Sequence, residues 1–358
     1  MQDFALRLAH WHENLGSKRV VIGFDGFIDM LVRPVRQGTI GNHPEHFRTL
    51  DEFGTFVSAR SGKSASIELD PLMERIGGNA PNMAAGLLAL GVDTRLMGTV
   101  GYPQIHPLFK EAFPADQVLT LANPGQSVSY EFEDGKLMCA LNQDVNALDW
   151  KMVEARVGIK AVEAFYEGCS LAAFVNWSEL AHAQELWEGV IEHVFEKRGF
   201  PEWIFFDLSD CARKTGDELR RVACTMRLCG QRSKVVISLN ENEKYALGQA
   251  LLNTETITGE ALLAALDGYA VVFHHLKDTC AFGEGTSWRF ENHVVQIPKI
   301  STGGGDNFNA GLCAGLLAGL PVGQAAKMGS LCGSYYVEHG QCASAGALDL
   351  YAQQHRMQ

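Results

Sequence analysis

Short apolar runs recur along this chain between longer stretches with helical spacing. Six runs are rich in Val, Ile and Phe, at positions 20–24, 95–100, 171–175, 203–206, 235–239 and 270–273. Their apolar residues are consecutive rather than alternating, which is typical of strands buried on both faces of a parallel sheet. The pattern therefore predicts an α/β fold with three layers, in which helices cover both sides of a mostly parallel sheet.

A polar residue follows most of these runs. The residues are Asp25, Asn176, Asp207, Asn240 and His274. Ligands of open parallel sheets bind outside the carboxyl ends of the strands, where these residues are expected to lie. One polar residue at a strand end is ordinary loop chemistry. Five together favour a binding site at this edge of the sheet.

Two segments do not follow the alternation of strand and helix. Residues 32–66 are polar and rich in Gly and Ser, and residues 127–141 alternate apolar with polar around the turn signal Asp134-Gly135. We interpret them as a small β-sheet lid inserted into a single domain that spans residues 1–358. Such a lid is able to exclude water from a reaction. A hairpin without that role is the alternative.

Three consecutive glycines, Gly303, Gly304 and Gly305, precede Asp306 and a stretch with helical spacing. A helix that begins here presents unpaired backbone N–H groups, which suit a phosphate. Asp306 has two interpretations, a helix cap or a general base toward a hydroxyl group. A carboxylate repels phosphate, so the glycines favour the second interpretation.

A second glycine-led loop, residues 76–91, contains Gly77, Gly78 and Asn82 and continues into a helix of small residues. An Asn side chain both donates and accepts hydrogen bonds, as a polyol requires. The small residues also have a purely structural explanation, because they allow close packing. The loop alone therefore leaves both interpretations open.

Carboxylates occur after two other runs. Asp25 and Asp29 follow the first run and are suited to binding sugar hydroxyls, although acids in a surface turn are the alternative. Asn240 and Glu243 follow the fifth run. Their oxygens suit Mg²⁺, and a helix cap followed by acids in the first turn is the alternative.

Composition excludes several classes of partner. The 358 residues carry 30 Lys plus Arg against 42 Asp plus Glu, a net charge of −12, which disfavours nucleic acid. No apolar run approaches the length of about 20 residues that a membrane span needs, and the first residues lack the apolar core of a signal peptide. Nine cysteines without C-x-x-C spacing suit neither disulfides nor zinc. We predict a cytoplasmic protein whose cysteines are reduced core residues.

Taken together and in this order, the segments resemble the ribokinase-like (PfkB) carbohydrate kinase family, from position 25 to position 340. Gly77, Gly78 and Asn82 resemble the substrate-side motif of the family, and Gly303 to Asp306 its anion-hole and catalytic-base motif. Asn240 and Glu243 match its N-x-x-E element. The resemblance implies transfer of the γ-phosphoryl group of ATP to a hydroxyl of a small sugar or polyol.

The resemblance also implies roles for individual residues. The sugar would be held by Asp25, Asp29, Gly77, Gly78, Asn82 and Asn176. Mg²⁺ would be organised by Asn240 and Glu243, and ATP would be bound by Asn240, His274, Lys277, Gly303 and Gly305. The amides of Gly303, Gly304 and Gly305 would hold the transferring phosphate, and Asp306 would deprotonate the acceptor. Members of the family often dimerise through the lid, which implies a homodimer here.

The chain departs from the family pattern at two places. Ile300 stands where the family usually has an acid, so a monovalent-cation site is left open. His274 to Thr279 replace a loop that often reads Thr-x-Gly-x-x-Gly, and Lys277 or a histidine would have to compensate there by charge. Three alternatives remain: a nucleoside kinase with an aromatic slot from Phe27, Phe132 and Trp177, a phosphosugar kinase using basic residues of the lid, and a non-catalytic sensor of sugar or nucleotide.

Overall fold

A computed structural model describes residues 11–254, 256–300 and 302–355. The strands are β1 Arg19–Phe24, β2 Phe27–Thr39, β3 Asn42–His46, β4 Leu69–Gly77, β5 Asp93–Gly98, β6 Val118–Thr120, β7 Gly125–Phe132, β8 Gly135–Leu141, β9 Cys169–Phe174, β10 Trp203–Asp207, β11 Lys234–Leu239, β12 Ala270–His274, β13 Asp278–Gly283 and β14 Thr286–Glu291. The helices are α1 Leu50–Ser58, α2 Asn79–Ala89, α3 Pro107–Ala112, α4 Gln143–Ala147, α5 Trp150–Arg156, α6 Ile159–Phe165, α7 Ala183–Val190, α8 Glu196–Arg198, α9 Gly216–Gly230, α10 Glu241–Leu252, α11 Gly259–Leu266, α12 Gly304–Leu317, α13 Val322–His339 and α14 Ala345–Gln354.

Nine strands form the large sheet, in the order β14-β13-β12-β11-β10-β9-β1-β5-β6. The seven strands from β12 to β6 are parallel, and β13 and β14 extend the sheet with antiparallel pairing. The six runs predicted as strands correspond to β1, β5, β9, β10, β11 and β12, with ends that differ by at most two residues. The predicted parallel sheet is therefore confirmed.

Helices cover both faces of this sheet and enclose two hydrophobic cores. One core joins β1 residues such as Val20 and Ile22 to α2, α12, α13 and α14. The other joins Val21 and Phe24 of the same strand to α5, α7, α9 and α11. Consecutive residues of one strand thus enter opposite cores, which explains why the strands are apolar without alternation. The three predicted layers are confirmed.

A separate sheet of five strands contains strands from both segments predicted to form the lid, and we call this sheet the lid. Its order is β3-β2-β7-β8, and β4 pairs with β2 beside β3. The boundaries differ from the prediction: β2 begins at Phe27, residues Leu50–Ser58 form α1, and β4 lies outside the segments expected to contribute. The hairpin of β7 and β8 is present, although Phe132 pairs with Gly135, so its two-residue loop is Glu133-Asp134.

The two faces of the lid differ. On one face Phe53 of α1 packs against Tyr130 and Phe132 of β7, with ring centroids 5.9 and 5.4 Å apart. The register places Asp29 and Leu31 on the opposite face. No helix in the described part of the chain has the length and apolar composition of a transmembrane span.

Candidate active site

The glycine loop forms the start of α12. Gly303 precedes the helix with a φ of 86°, a left-handed conformation that favours glycine, and no side chain among the described residues caps the helix. The first N–H groups of a helix have no acceptor within it, so the amides of Gly304 and Gly305 are suited to an anion. Position 301 lies outside the described residues. The predicted helix start at the glycines is confirmed.

Asp306 is the third residue of α12 and not its cap. Its carboxylate accepts a hydrogen bond of 2.9 Å from Nδ2 of Asn82 in α2. The two helices approach closely because Gly86 faces α12, where a Cβ atom would lie 2.8 Å from Cβ of Ala310. The small residues of α2 therefore pack against a helix, and this contact brings the two predicted site residues together.

The carboxyl group of Asp306 is almost completely buried. Burial raises its pKa well above the ordinary value of 3.8, and the nearby negative charges of Asp207 and Asp25 raise it further, while the hydrogen bond from Asn82 lowers it. A raised pKa strengthens a carboxylate as a proton acceptor. The geometry thus provides a buried base beside the first backbone N–H groups of a helix.

Asp25 holds the start of α2. Its two oxygens accept the backbone N–H groups of Asn79 and Ala80, at 2.8 and 3.0 Å, and Nδ2 of Asn176 at 2.8 Å. Burial raises the pKa of Asp25 to about 6 in spite of these hydrogen bonds. Gly78 leaves the space that the carboxylate occupies, since a Cβ atom there would lie 2.5 Å from Oδ2 of Asp25. Most of the hydrogen-bonding capacity of this carboxylate is used within the chain, and its role toward a sugar stays a prediction.

Asp29 lies on the lid face that bears Arg75. Gly77 makes room for it, because a Cβ atom at Gly77 would lie 2.5 Å from the Asp29 carboxylate. Nε of Arg75 is 4.0 Å from Oδ2 of Asp29, and the Arg75 guanidinium donates a 2.7 Å hydrogen bond to Oγ1 of Thr302. Arg75 thus joins the lid to the glycine loop. Arg75 was missed because β4 was not predicted.

Asn240 and Glu243 form a reciprocal capping box at the start of α10. Glu243 accepts N–H and Nδ2 of Asn240, and Oδ1 of Asn240 accepts N–H of Glu243. The cap interpretation is therefore confirmed. Glu243 is nevertheless buried, and charged groups lie beside it. Burial and then the charge of Asp207 raise the pKa of Glu243 well above 4.5. Crowded acids of this kind, with oxygen donors, fit a divalent cation such as Mg²⁺.

Asp207 belongs to this site but was not assigned a role from the sequence. It is buried at the end of β10, where it accepts N–H of Ser209 and Nδ2 of Asn309. Burial raises its pKa. The position of Asp207 just past a predicted strand could have indicated a site residue. For Asn309 the sequence offered only its place one turn after Asp306. Oδ1 of Asn309 has no hydrogen-bond partner among the described residues.

Two of the five residues predicted to bind nucleotide, His274 and Lys277, have different surroundings. His274 is beside the glycine loop, where its Cε1 would be 3.7 Å from a Cβ atom at Gly305, and its ring stacks on Phe308. Burial lowers the pKa of His274 to about 4, so the ring is neutral at pH 7. Lys277 is exposed and lines a cleft of about 710 Å³ with Glu241 and Lys244. His274 is therefore unsuited to compensate by charge at this loop, and the role of Lys277 stays a prediction.

The residues of the nucleoside-kinase alternative do not form one slot. Phe27 and Trp177 belong to the second hydrophobic core, and Phe132 packs on Phe53 on the lid face opposite to Asp29. Among the basic lid residues weighed for a phosphosugar, Arg36 and Arg48 pair with Glu45 and Glu133. Neither alternative gains support from the described residues.

Comparison with known proteins identifies the family. A model of the prokaryotic ketohexokinase family matches residues 8–355. The chain belongs to this family. It is 25% identical over 346 residues to a ketohexokinase of Haloferax volcanii, covering 95% of this chain and 92% of the relative. It is 23% identical over 335 residues to a 5-dehydro-2-deoxygluconokinase of Clostridium tetani, covering 90% and 92%.

Solved structures share the fold. A fructokinase of Xylella fastidiosa with bound ATP superposes with a TM-score of 0.67 at 13% identity, covering 96% of this chain and 100% of that chain. A ribokinase of Thermotoga maritima gives 0.61 at 14% identity, with 94% and 99% covered. The ribokinase-like fold is thereby confirmed. As a member of the ketohexokinase family, the chain is a carbohydrate kinase that uses ATP.

Proposed function

We propose that this kinase phosphorylates a hydroxyl group of a ketose, with Asp306 as the general base. The observation that carries the base is the buried Asp306 carboxylate, held by Asn82 beside the first amides of α12. The substrate class is supported by the family description and by two curated relatives, whose names both specify kinases of keto sugars or keto sugar acids.

Each part of the site has a proposed task. Asp29 and Asn82 orient the sugar under the lid, and Asp306 takes the proton of the attacking hydroxyl. The amides of Gly303, Gly304 and Gly305 stabilise the charge that develops on the transferred group. Because few bonds are made by the protein in phosphoryl transfer, positioning and electrostatic stabilisation supply most of the rate enhancement.

The acids beside α10 fit the proposed Mg²⁺. Burial raises the pKa of both Glu243 and Asp207, and the charge of Asp207 raises the pKa of Glu243 further, so a divalent cation near them would relieve the repulsion. Asn240 is engaged in the capping box and positions Glu243. When bound, Mg²⁺ supplies positive charge to the phosphate oxygens.

Replacement of Asp306 by Asn tests the base. We expect Asp306→Asn to lower kcat by at least ~10², the usual size of a general-base effect, while ATP affinity measured by calorimetry stays within about threefold. Asp349→Asn, a matched change at a partly buried carboxyl group of α14, is the control and should leave kcat unchanged. Near-normal turnover of Asp306→Asn would contradict the proposal.

A substrate panel tests the ketose. ADP release would be measured with D-fructose and other ketoses, with D-ribose and D-glucose, with fructose phosphates and with adenosine. We expect kcat/KM to be highest for a ketose, and phosphorus NMR of the product then identifies the hydroxyl group. Preference for adenosine or for a phosphosugar would restore one of the alternatives.

The exposed face of the lid supports a homodimer. Met73, Leu31, Ser129 and Met138 form one row across β4, β2, β7 and β8, and both methionines are more than half exposed. The next row on the same face contains Arg75 and Asp29. Apolar side chains on an exposed sheet face favour association, and a second lid would border the sugar site.

We keep a cytoplasmic location in the proposal, since the nine cysteines are all free.

A further inference from the structure

Two histidines and a glutamate converge at the end of α13, apart from the residues of the proposed kinase site. His293 follows β14, Glu338 lies in the last turn of α13, and His355 follows α14. One ligand atom from each lies within 4.8 Å of the others, and all three side chains are partly buried. Nε2 of His293 is 3.7 Å from Oε2 of Glu338, and the two imidazole rings are 4.1 Å apart.

The donor set specifies a class of metal. Two imidazole nitrogens and one carboxylate oxygen suit Zn²⁺ and neighbouring transition metals, whereas Mg²⁺ prefers oxygen ligands alone. Ligands about 2.0–2.2 Å from a tetrahedral ion are roughly 3.3–3.6 Å from one another. The distance of 3.7 Å between His293 and Glu338 is close to this value. Small side-chain rotations therefore suffice to close the site on an ion.

Further hydrogen bonds hold the ligands in place. The hydroxyl of Tyr351 donates a 2.7 Å hydrogen bond to Oε2 of Glu338. The hydroxyl of Ser334 donates to the carbonyl oxygen of His293 at 2.9 Å. Outer partners of this kind orient the ligands of metal sites and strengthen binding.

We propose that His293, Glu338 and His355 bind one Zn²⁺ or a similar transition-metal ion, with water completing the coordination. The ion would fasten the segment after β14 to the ends of α13 and α14. That segment is already joined to α13 through the N–H of Lys299 and the carbonyl oxygen of Val337, at 2.9 Å, and it leads to the glycine loop. Metal binding would thus stabilise the segment that leads from β14 to the glycine loop of the candidate active site.

Calorimetric titration with Zn²⁺ tests the proposal. The protein would carry Cys139→Ser and Cys224→Ser, because exposed thiols also bind zinc, and the buffer would contain excess Mg²⁺. We expect one Zn²⁺ per chain and a rise in Tm on adding Zn²⁺. His293→Ala and Glu338→Gln should each weaken binding at least ~10-fold.

A control and a second variant keep the test decisive. His182 pairs with Glu185 but belongs to no metal-ligand cluster among residues that the structure describes, so His182→Ala should leave binding unchanged. If His293→Ala lowers the Tm in EDTA, His355→Ala at the end of α14 replaces it. Absence of binding to the parent protein would overturn the proposal, as would equal affinity in the ligand variants and the control.

Discussion

At the scale of residues, Gly305 tests whether the start of α12 receives an anion. Among the described residues outside its own helix and its chain neighbours, a Cβ atom at Gly305 would have one heavy atom within 4 Å, Cε1 of His274 at 3.7 Å. The protein therefore has room for a methyl group at position 305. The same methyl group would collide with a phosphoryl group bound over the Gly305 amide. We expect Gly305→Ala to fold normally and to lower kcat/KM for ATP by ~10-fold or more.

Gly346 is the matched control for this variant. Like Gly305 it is the second residue of a helix, and a Cβ atom there would meet nothing within 4 Å. Both substitutions should change the free energy of unfolding in the same direction, by up to about 1 kcal/mol in favour of the fold. Steady-state kinetics should separate them, since only Gly305→Ala loses activity. Equal kinetics in the two variants would argue against an anion site at α12.

The sequence predicted some of these residues and not others, for physical reasons. Asp306 and Asn82 were recognisable because each follows glycines at a loop that opens a helix. Their direct hydrogen bond was not, because it depends on how closely α2 and α12 pack at Gly86. Asn309 could not be singled out, because the sequence does not show that its amide lies opposite Asp207.

At the scale of elements, the capping box of α10 combines a cap with a buried charge. Burial and Asp207 raise the pKa of Glu243 above the ordinary value of 4.5. A carboxyl group with a raised pKa contributes stability that is present below about pH 4.5 and is lost as the pH rises through the folded-state pKa. Glu243→Gln removes this titration. In EDTA, the fall in Tm between about pH 5 and pH 8 should be smaller in the variant than in the parent protein.

Glu218 provides the comparison. It occupies the same capping-box position in α9, with Thr215 as the cap, but its hydrogen bonds with Thr215 lower its pKa. Its contribution is present above the ordinary value of 4.5 and is lost only at lower pH. Glu218→Gln should therefore show the same change in Tm as the parent protein over this pH range. A smaller pH dependence in both variants would mean that the cap, and not the buried charge, produces the effect.

The contact between the lid and the glycine loop depends on β4. Arg75 donates to Thr302 and lies near Asp29, so its loss removes a charged hydrogen bond between the two elements. Hydrogen bonds to charged groups are worth about 1.5–3 kcal/mol. We expect Arg75→Met to lower kcat/KM for the sugar by roughly 10- to 100-fold. Arg33→Met, at an exposed arginine of the neighbouring strand β2, should have little effect, and a similar loss in both variants would contradict this role.

At the scale of the whole molecule, the large sheet was predictable and the lid only in part. The strands from β9 to β12, with β1 and β5, have long apolar runs because both of their faces are buried. Only one residue of strand β4, Gly77, is buried, so the strand lacks that pattern. The three-residue β6 and the edge strand β14 were missed for related reasons, since short and half-exposed strands give little periodicity.

The exposed face of the lid, which bears Met73 and Met138, leads to a prediction about assembly. Met73 and Met138 lie in one row of the sheet with exposures of 53% and 51%, next to the row that contains Asp29. If two lids pack face to face, a charge in this row should raise the dimer Kd at least ~10-fold and raise KM for the sugar, whose site loses its cover. Light scattering after size exclusion measures the first effect for Met73→Lys and Met138→Lys. Leu350→Lys, at a comparably exposed position of α14, is the control. A monomeric parent protein would contradict the homodimer, and a dimer unaffected by both lid variants would place its interface elsewhere.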